Sequence, residues 1–279
     1  MRTQAQKAAA FRALHDRPGA FIIPNPWDAG TARLLASLGF EALATTSLGL
    51  ANTLGRADGI SAVGLDEVIE NVRTISEATD LPVNADLENG YADAPERVAE
   101  TIRRAAKAGA VGASIEDFTG DPQRGIYDFQ HALERVQAAV EAAHSLAVPV
   151  MLTARAENLL RGRNDLGDTI RRLQAFENAG ADVLYAPGLR DLRTIRAVVG
   201  SVGKPINVVM SMADPSITAE QLADAGVKRI SVGGALSRLA LGAFMEGARE
   251  MAEKGSFTWV RRTIPTNELN SVFDKWRPR

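Results

Sequence analysis

The sequence predicts one large α/β domain, a (β/α)8 barrel of the TIM type with an N-terminal helix and a short C-terminal helical tail. Three observations predict this fold. Short apolar runs alternate with helix-like segments along most of the chain, and eight such runs can be found. Nearly all of these runs follow a glycine that closes a helix or begin at a proline. The length of 279 residues and the hydrophobic fraction of 46% suit one domain with a large core.

The elements follow in order from these boundaries. The N-terminal helix is expected over residues 1–17, the barrel over 18–253 and the tail over 254–279. The first strand follows Pro18-Gly19, four later strands follow a glycine, and three begin at a proline. The strands are therefore predicted near residues 20–23, 41–46, 82–86, 111–116, 149–155, 182–186, 205–210 and 228–233.

An open, doubly wound sheet is the alternative to a closed barrel. That fold usually has a glycine-rich turn for a dinucleotide after its first strand. Here the first strand is followed by Pro24-Asn25-Pro26-Trp27-Asp28 instead. The barrel is therefore the favoured topology.

The charge balance restricts the class of partner. With 32 basic and 34 acidic residues the net charge is -2, which indicates neither a nucleic-acid partner nor a membrane partner and favours a small, anionic metabolite. The absence of cysteine excludes disulfides, thiolate metal sites and a cysteine nucleophile. The N-terminal stretch is too polar for a signal peptide, and no apolar run reaches about 18 residues. A cytoplasmic location is expected.

Carboxylates end two of the predicted strands. Asp86 and Glu88 follow the third strand, and Glu116 follows the fourth. Because the carboxyl ends of barrel strands share one rim, these three acids are expected to converge there. Hard oxygen ligands favour Mg²⁺, with Mn²⁺ as the second choice. Helix capping or ion pairing with nearby arginines is the alternative.

Arg155 is expected to emerge from a buried strand, where an unpaired guanidinium is costly. It therefore needs an anion. One alternative is a structural ion pair with Glu116 or Glu157, and the other is a bidentate grip on a substrate carboxylate. The sequence leaves both open.

Polar residues at the ends of other strands are candidates for substrate binding. Hydroxyls and backbone N–H groups after the second strand suit a carboxylate or an oxyanion, although they could also form a simple turn. Amides and a phenol end three further strands, and the amides taken alone are more typical of turns. The candidate substrate-binding residues are Thr45, Thr46, Ser47, Asn25, Asn207 and Tyr185.

Residues 118–129 follow the fourth strand directly and are rich in glycine, proline and polar residues. This composition is typical of a mobile lid that covers a binding site. Arg124 at its tip could then reach a bound anion. An ordinary surface loop is the alternative.

Several of these motifs together resemble the isocitrate lyase and phosphoenolpyruvate mutase superfamily, from about Pro24 to Met251. The family's metal motif is matched by residues 86–92, with Glu88 in place of an aspartate. Its Glu-Asp and Ala-Arg-x-Glu motifs are matched at 116–117 and 154–157, and its early acid by Asp58. The lyases' lid cysteine has no counterpart in residues 122–126, and Tyr185 replaces a histidine of the mutase.

This resemblance implies a Mg²⁺-dependent lyase or decarboxylase. Such an enzyme would cleave a C–C bond next to a 2-oxo carboxylate through a metal-stabilised pyruvate enolate, with Asp58, Arg124 and Arg155 as catalytic residues. The implied substrates are small 2-oxo or dicarboxylic acids, with oxaloacetate-like acids first because decarboxylation needs no thiol. Alternatives are a C–P mutase or hydrolase, and a 2-oxo acid binding protein with little turnover.

The resemblance also implies a homo-oligomer, a dimer or a tetramer that exchanges C-terminal helices. The aromatic residues of the tail, from Phe257 to Trp276, could dock on a neighbouring subunit. Docking on the chain's own barrel is the alternative, since exposed aromatics favour any apolar partner.

Overall fold

A computed structural model describes residues 2–59 and 62–276. Its eight strands form one parallel sheet in the order β1-β8-β7-β6-β5-β4-β3-β2. The strands are β1 Phe21–Ile23, β2 Leu43–Ala44, β3 Val83–Asp86, β4 Gly112–Glu116, β5 Met151–Arg155, β6 Val183–Tyr185, β7 Ile206–Val209 and β8 Arg229–Ser231. Each of them lies within one of the predicted ranges.

The sheet curls into a barrel, which confirms the predicted topology and excludes the open sheet. The ladder between β1 and β8 joins the first strand to the last. Between β1 and β2 the backbone N–H of Ala44 donates to the carbonyl of Pro24 at 3.0 Å. This backbone hydrogen bond, together with the one from the Asn25 side chain to the carbonyl of Thr45, bridges the seam that the ladders leave open.

Helices follow the strands around the outside of the barrel, as expected for parallel strands that need crossover connections. They are α1 Gln4–Asp16, α2 Ala29–Ser37, α3 Ser47–Thr53, α4 Leu65–Ala78, α5 Pro95–Lys107, α6 Phe129–His144, α7 Leu166–Asn178, α8 Leu192–Val199, α9 Ala219–Asp224, α10 Ala235–Lys254, a 3₁₀ turn Thr258–Arg262 and α11 Thr266–Asp274. The predicted segment boundaries after residues 17 and 253 stay predictions, although α1 and α10 end close to them. No described helix is long and apolar enough to cross a membrane.

Helix α1 closes the amino-terminal end of the barrel. Phe11 and Leu14 pack in one cluster with Phe21 and Met151, which lie at the starts of β1 and β5. At Gly112, a Cβ atom would lie 2.6 Å from the Phe11 ring, so glycine is needed for the helix to seat this closely. With this end filled by apolar side chains, a ligand can enter only from the carboxyl ends of the strands.

The C-terminal tail folds back on its own chain. The ring of Trp259 packs against Gly247 of α10, and a Cβ atom added at Gly247 would lie 3.2 Å from this ring. Helix α11 packs against α2. This is the intramolecular alternative for the aromatic tail, although Phe257 remains 62% exposed.

Candidate active site

A cavity of about 450 Å³ opens at the carboxyl ends of the strands. All of the predicted site residues except Arg124 line it, together with others. The predicted residues that the structure brings together are Asn25, Thr45, Thr46, Ser47, Asp58, Asp86, Glu88, Glu116, Arg155, Tyr185 and Asn207. Parallel strands of a barrel deliver their ends to one rim, which is why residues far apart in sequence meet here.

Arg155, the last residue of β5, lies among three carboxylates. Its Nη1 donates to Asp86 Oδ1 at 3.0 Å, while Nη2 lies 2.9 Å from Glu116 Oε2 and 2.7 Å from Glu157 Oε1. Nε donates to the same Glu157 oxygen at 3.1 Å. The structure therefore shows the ion-pair alternative. A guanidinium has five N–H donors, so one hydrogen on Nη1 is left for a substrate oxygen.

Glu116 is buried between two arginines. Its second oxygen, Oε1, lies 3.4 Å from Nη2 of Arg161, which also pairs with Glu157 at 3.2 Å. Burial raises the pKa of Glu116 well above its ordinary value, and the charge of Arg155 opposes this rise. Because both oxygens already contact guanidinium groups, this geometry argues against Glu116 as a direct metal ligand.

Asp86, the last residue of β3, is held by the loop that follows β2. The backbone N–H of Ser47 donates to Asp86 Oδ2 at 3.2 Å, and the backbone N–H of Asp86 donates to Thr45 Oγ1 at 2.8 Å. Thr46 caps α3 by accepting from the N–H of Gly49. In this arrangement the Ser47 amide orients an acid instead of a substrate. The predicted substrate-binding role of Thr45, Thr46 and Ser47 stays a prediction.

Glu88 sits on a strained turn just beyond β3. The backbone φ of Glu88 is 46° and that of Tyr91 is 58°. Residues other than glycine rarely adopt such values, and those that do cluster at functional sites. The Tyr91 hydroxyl donates to Glu88 Oε1 at 3.0 Å, and Glu88 makes no ion pair within the described residues. Burial, and next the charge of Asp86, raise the pKa of Glu88 to about 7.

The donor chemistry here fits a divalent cation. Asp58, Asp86, Glu88 and Glu116 lie at the rim of the cavity, and Arg155 and Arg161 are the described arginines whose charges act on them, so negative charge is in excess at this rim. Within residues 2–59 and 62–276, however, no group of three or more His, Cys, Asp or Glu side chains is arranged to hold a metal ion. Mg²⁺ commonly takes one or two carboxylates and completes its shell with water and substrate. Asp86 and Glu88 suit that mode, while the full predicted set with Glu116 stays a prediction.

Asp58 lies on the exposed loop after α3, at the mouth of the cavity. Burial against the site, and next the charge of Asp86, raise its pKa, while a hydrogen bond from the Ser47 side chain lowers it. An acid with a raised pKa at a cavity mouth can hold or accept a proton. Its catalytic role stays a prediction.

The predicted asparagines serve the barrel itself. Asn25 donates to the carbonyl of Thr45 at 3.0 Å and accepts from the N–H groups of Val232 and Gly233, so it ties three strand ends together. Asn207 donates to Ser231 Oγ and accepts from Arg229 Nε. These bonds favour a structural role, and substrate binding by either residue stays a prediction.

Tyr185 ends β6 and offers a hydroxyl to the cavity. Its ring lies 5.0 Å from the Arg155 guanidinium, and no hydrogen bond of its hydroxyl is found within the described residues. Burial raises the pKa of Tyr185 above its ordinary value, against the opposing charge of Arg155. The phenol therefore stays protonated and can donate a hydrogen bond.

The loop 118–129 is an ordered hairpin in this structure. Phe118 and Ile126 form an antiparallel bridge, and the Phe118 ring lies 3.5 Å from the Arg161 guanidinium. Arg124 pairs with Asp93 at 3.1 Å and does not line the cavity. In this conformation Arg124 is paired with a surface carboxylate and does not approach the cavity, so its predicted contact with a bound anion stays a prediction. A catalytic role for Arg124 stays a prediction that requires the loop to move.

Three arginines of the cavity, Arg161, Arg229 and Arg238, were missed by the sequence interpretation. Arg161 lies in the loop after β5, where its residue type alone is unremarkable in a polar segment. Arg229 opens β8, and its charge at the start of a predicted barrel strand was a signal that could have identified it.

The chain matches a known family and several of its members over most of its length. The phosphoenolpyruvate phosphomutase family matches residues 11–252. The 2-methylisocitrate lyase of Escherichia coli K12 is 31% identical over 78% of this chain and 75% of its own length. The oxaloacetate decarboxylase of Paraburkholderia xenovorans LB400 is 30% identical over 75% of this chain and 71% of its own.

Solved structures show the same fold. A crystal structure from Burkholderia cenocepacia J2315, whose activity is given only as lyase/mutase, is 56% identical with a TM-score of 0.94 over 97% of this chain and 96% of its own. An oxaloacetate acetylhydrolase solved with its product oxalate is 26% identical with a TM-score of 0.86 over 97% and 95%. By the matched family and these relatives, the chain belongs to the phosphoenolpyruvate mutase and isocitrate lyase superfamily of enzymes.

Proposed function

We propose that this chain is a cytoplasmic, Mg²⁺-dependent lyase that cleaves a C–C bond next to a 2-oxo carboxylate, with oxaloacetate-like acids as the first substrates to test. One observation carries the proposal. Glu88 is a partly buried carboxylate with no ion-pair partner among the described residues, and it lies beside Asp86 in a cavity that also presents Arg155 and the Tyr185 hydroxyl. The relatives that act on oxaloacetate support this choice of substrate.

Asp86 and Glu88 would hold the ion. When bound, Mg²⁺ supplies a positive charge that stabilises the negative charge developing on the 2-oxo oxygen. The remaining N–H on Nη1 of Arg155 can orient a substrate carboxylate, since hydrogen bonds to Asp86 and Glu157 and an ion pair with Glu116 keep the guanidinium fixed.

Decarboxylation of such an acid needs few protein groups. The C–C bond to the leaving carboxylate breaks, CO₂ departs, and the electron pair moves onto the 2-oxo group. A proton must then reach carbon 3 to give pyruvate. In a chain without cysteine, the Tyr185 hydroxyl and Asp58 are the cavity groups best suited to hold that proton.

The C–P alternative finds less support in the geometry. Chemistry on a phosphonate would require further cationic groups over the substrate, and Arg124 was the candidate. Its ion pair with Asp93 keeps it away from the cavity. A phosphonate enzyme is therefore an outcome of the test instead of a second proposal.

A substrate panel tests the proposed reaction. The purified protein is given Mg²⁺ and separately oxaloacetate, phosphonopyruvate and alkyl-substituted malates and citrates, and pyruvate release is followed. We expect release from oxaloacetate that stops when a chelator removes the metal. No pyruvate from any member would refute the proposal, and release from phosphonopyruvate alone would assign the C–P reaction.

Asp58→Asn distinguishes an enzyme from a binding protein in the same assay. The substitution is expected to lower turnover by roughly 10²–10⁴-fold while Mg²⁺ and 2-oxo acid binding persist, as for the loss of a general acid or base. Asp66→Asn, which removes an exposed carboxylate of α4, is the matched control. Tight 2-oxo acid binding without turnover in the wild type would instead support a sensor or carrier.

We also propose that the chain self-associates through α10. This helix exposes a row of large apolar side chains, among them Leu239 and Phe244, each 69% exposed. Such a patch is typical of a protein interface, and a second copy of this chain would cover it. Sedimentation is expected to show a dimer or tetramer, and Phe244→Glu is expected to shift it to the monomer. A monomeric wild type at micromolar concentration would contradict this.

A further inference from the structure

Arg229 is a buried cation inside the barrel, and no counter-ion for it is found within residues 2–59 and 62–276. It is 3% exposed, and it lines the deep part of the cavity. Nε donates to Asn207 Oδ1 at 2.8 Å and Nη2 to Thr153 Oγ1 at 2.9 Å, both neutral acceptors. Nη1 has no hydrogen-bond partner in the described part of the chain. Burying a guanidinium without an anion is expensive, so a compensating charge is expected at this place.

The position of Arg229 is one layer below the rim. Side chains alternate along a strand, so Thr153 lies on the same face of β5 as Arg155 and about 7 Å deeper. The bond to Thr153 therefore places the Arg229 guanidinium beneath the ion-pair cluster of Arg155. Burial lowers the pKa of Arg229 to about 10, and Tyr185 is the described group whose charge opposes this. The phenol of Tyr185 is thus close to both arginines.

One further polar atom near Arg229 lacks a partner among the described residues. Asn84, two residues before Asp86 on β3, is 3% exposed, and its Oδ1 accepts no hydrogen bond in the described residues. Ser114 and Ser231 also line the cavity; the Ser114 hydroxyl donates to the carbonyl of Ala85 at 3.4 Å, and the Ser231 hydroxyl accepts from Asn207 and keeps its own hydrogen free to donate. We call Arg229, Asn84, Ser114 and Ser231 the interior subsite. Its surface is polar and positively charged, whereas the rim above it is acidic.

We propose that the interior subsite binds an anion, the second carboxylate of a short dicarboxylic substrate whose first carboxylate lies at the rim. This rests on the proposed function and deepens it. The acidic rim needs a cation and the interior subsite needs an anion, so a diacid chelated at the rim would satisfy both. A spacing of one layer suits an acid of four or five carbons. A free inorganic anion offers the same chemistry, and ordered water is the competing occupant.

Binding of succinate and butyrate tests this with ligands that cannot react. The full-length protein is loaded with Mg²⁺, and both acids, equal in carbon number, are titrated by calorimetry. The wild type is expected to prefer succinate by about tenfold or more, and Arg229→Met to reduce that preference to below about twofold. Arg229→Lys keeps the charge, and its preference for succinate is expected to lie between those of the wild type and Arg229→Met. Arg238→Met is the matched control, because Arg238 lines the exposed mouth of the same cavity. It should retain the preference.

The stability of the variant separates this role from a structural one. Without small anions, Arg229→Met is expected to melt no lower than the wild type, because it removes an uncompensated buried charge. Chloride titrated at constant ionic strength distinguishes the source of the anion. A melting temperature that rises with chloride in the wild type, but not in Arg229→Met, would assign the subsite to a free ion.

Several results would overturn the inference. These are equal affinity of the wild type for succinate and butyrate with no response to chloride, no binding of succinate, or a succinate preference that survives Arg229→Met and disappears in Arg238→Met. The outcome is independent of turnover. An Arg229-dependent preference without pyruvate release would leave the subsite in place and refute the proposed reaction. Pyruvate release without a preference for succinate would support the proposed reaction and refute the interior subsite.

Discussion

Arg155→Met is expected to lower the free energy of unfolding by about 3–5 kcal/mol at pH 8 and to abolish turnover. The guanidinium compensates Asp86, Glu116 and Glu157, and methionine would leave three buried carboxylates with little opposing charge. Since protonation would relieve this repulsion, the loss of stability should shrink as the pH falls towards 5. Urea unfolding of both proteins at pH 5 and pH 8 measures the difference.

Arg161→Met provides the matched control for this experiment. Arg161 contacts Glu116 and Glu157 as well, but its side chain is 35% exposed, whereas that of Arg155 is 13% exposed. Solvent screens the more exposed pair, so a loss of only about 1 kcal/mol is expected. If the free energy of unfolding of Arg155→Met lay within about 1 kcal/mol of the wild-type value, the expected stabilisation by the ion pairs of Arg155 would be contradicted.

Glu88→Gln is expected to reduce Mg²⁺ affinity at least about tenfold and kcat/KM by about 10²-fold. Glutamine keeps an oxygen that can accept from the Tyr91 hydroxyl but cannot supply the charge that attracts the cation. Calorimetric titration with Mg²⁺ and pyruvate release from oxaloacetate measure the two effects. Glu141→Gln, at an exposed position on α6, is the control and should change neither.

The same substitution should change the pH dependence of stability. Without metal, the folded pKa of Glu88 of about 7 lies above its ordinary value of 4.5, so the folded state holds more protons between these values. The contribution of Glu88 to stability therefore falls as the pH rises from 4.5 to 7. Above pH 7, metal-free Glu88→Gln should be more stable than the wild type by about 1–3 kcal/mol, and the order should reverse with Mg²⁺. Equal melting temperatures in both conditions would contradict a metal at Glu88.

Much of the fold could be predicted because its signals are local. A glycine such as Gly109, with φ of 101°, ends a helix through its own backbone freedom, and Pro82 begins the approach to a strand with a fixed φ. These signals placed all eight strands. Once the strands form a barrel, their ends share a rim, so Asp86, Glu88 and Arg155 could be assigned to one cavity before any contact was known.

The partners of those side chains could not be predicted in the same way. The sequence does not show that Asp93 neutralises Arg124, or that Glu116 is enclosed by Arg155 and Arg161, because each pair joins residues from different loops and strands. The lid composition of residues 118–129 likewise carried no sign of the hairpin between Phe118 and Ile126.

The sequence by itself determined the order of strands and helices along the chain, the placing of the acids at one rim of the barrel and the family resemblance. Backbone preferences and motifs are encoded within a few neighbouring residues, so they can be read without the tertiary structure. Only the tertiary structure decided which charges are compensated. Arg229 shows the reason: it bonds to Thr153, 76 residues away, and no carboxylate of the described residues pairs with it. Whether a buried charge is paired depends on every chain segment that surrounds it, and those segments come together only when the barrel closes.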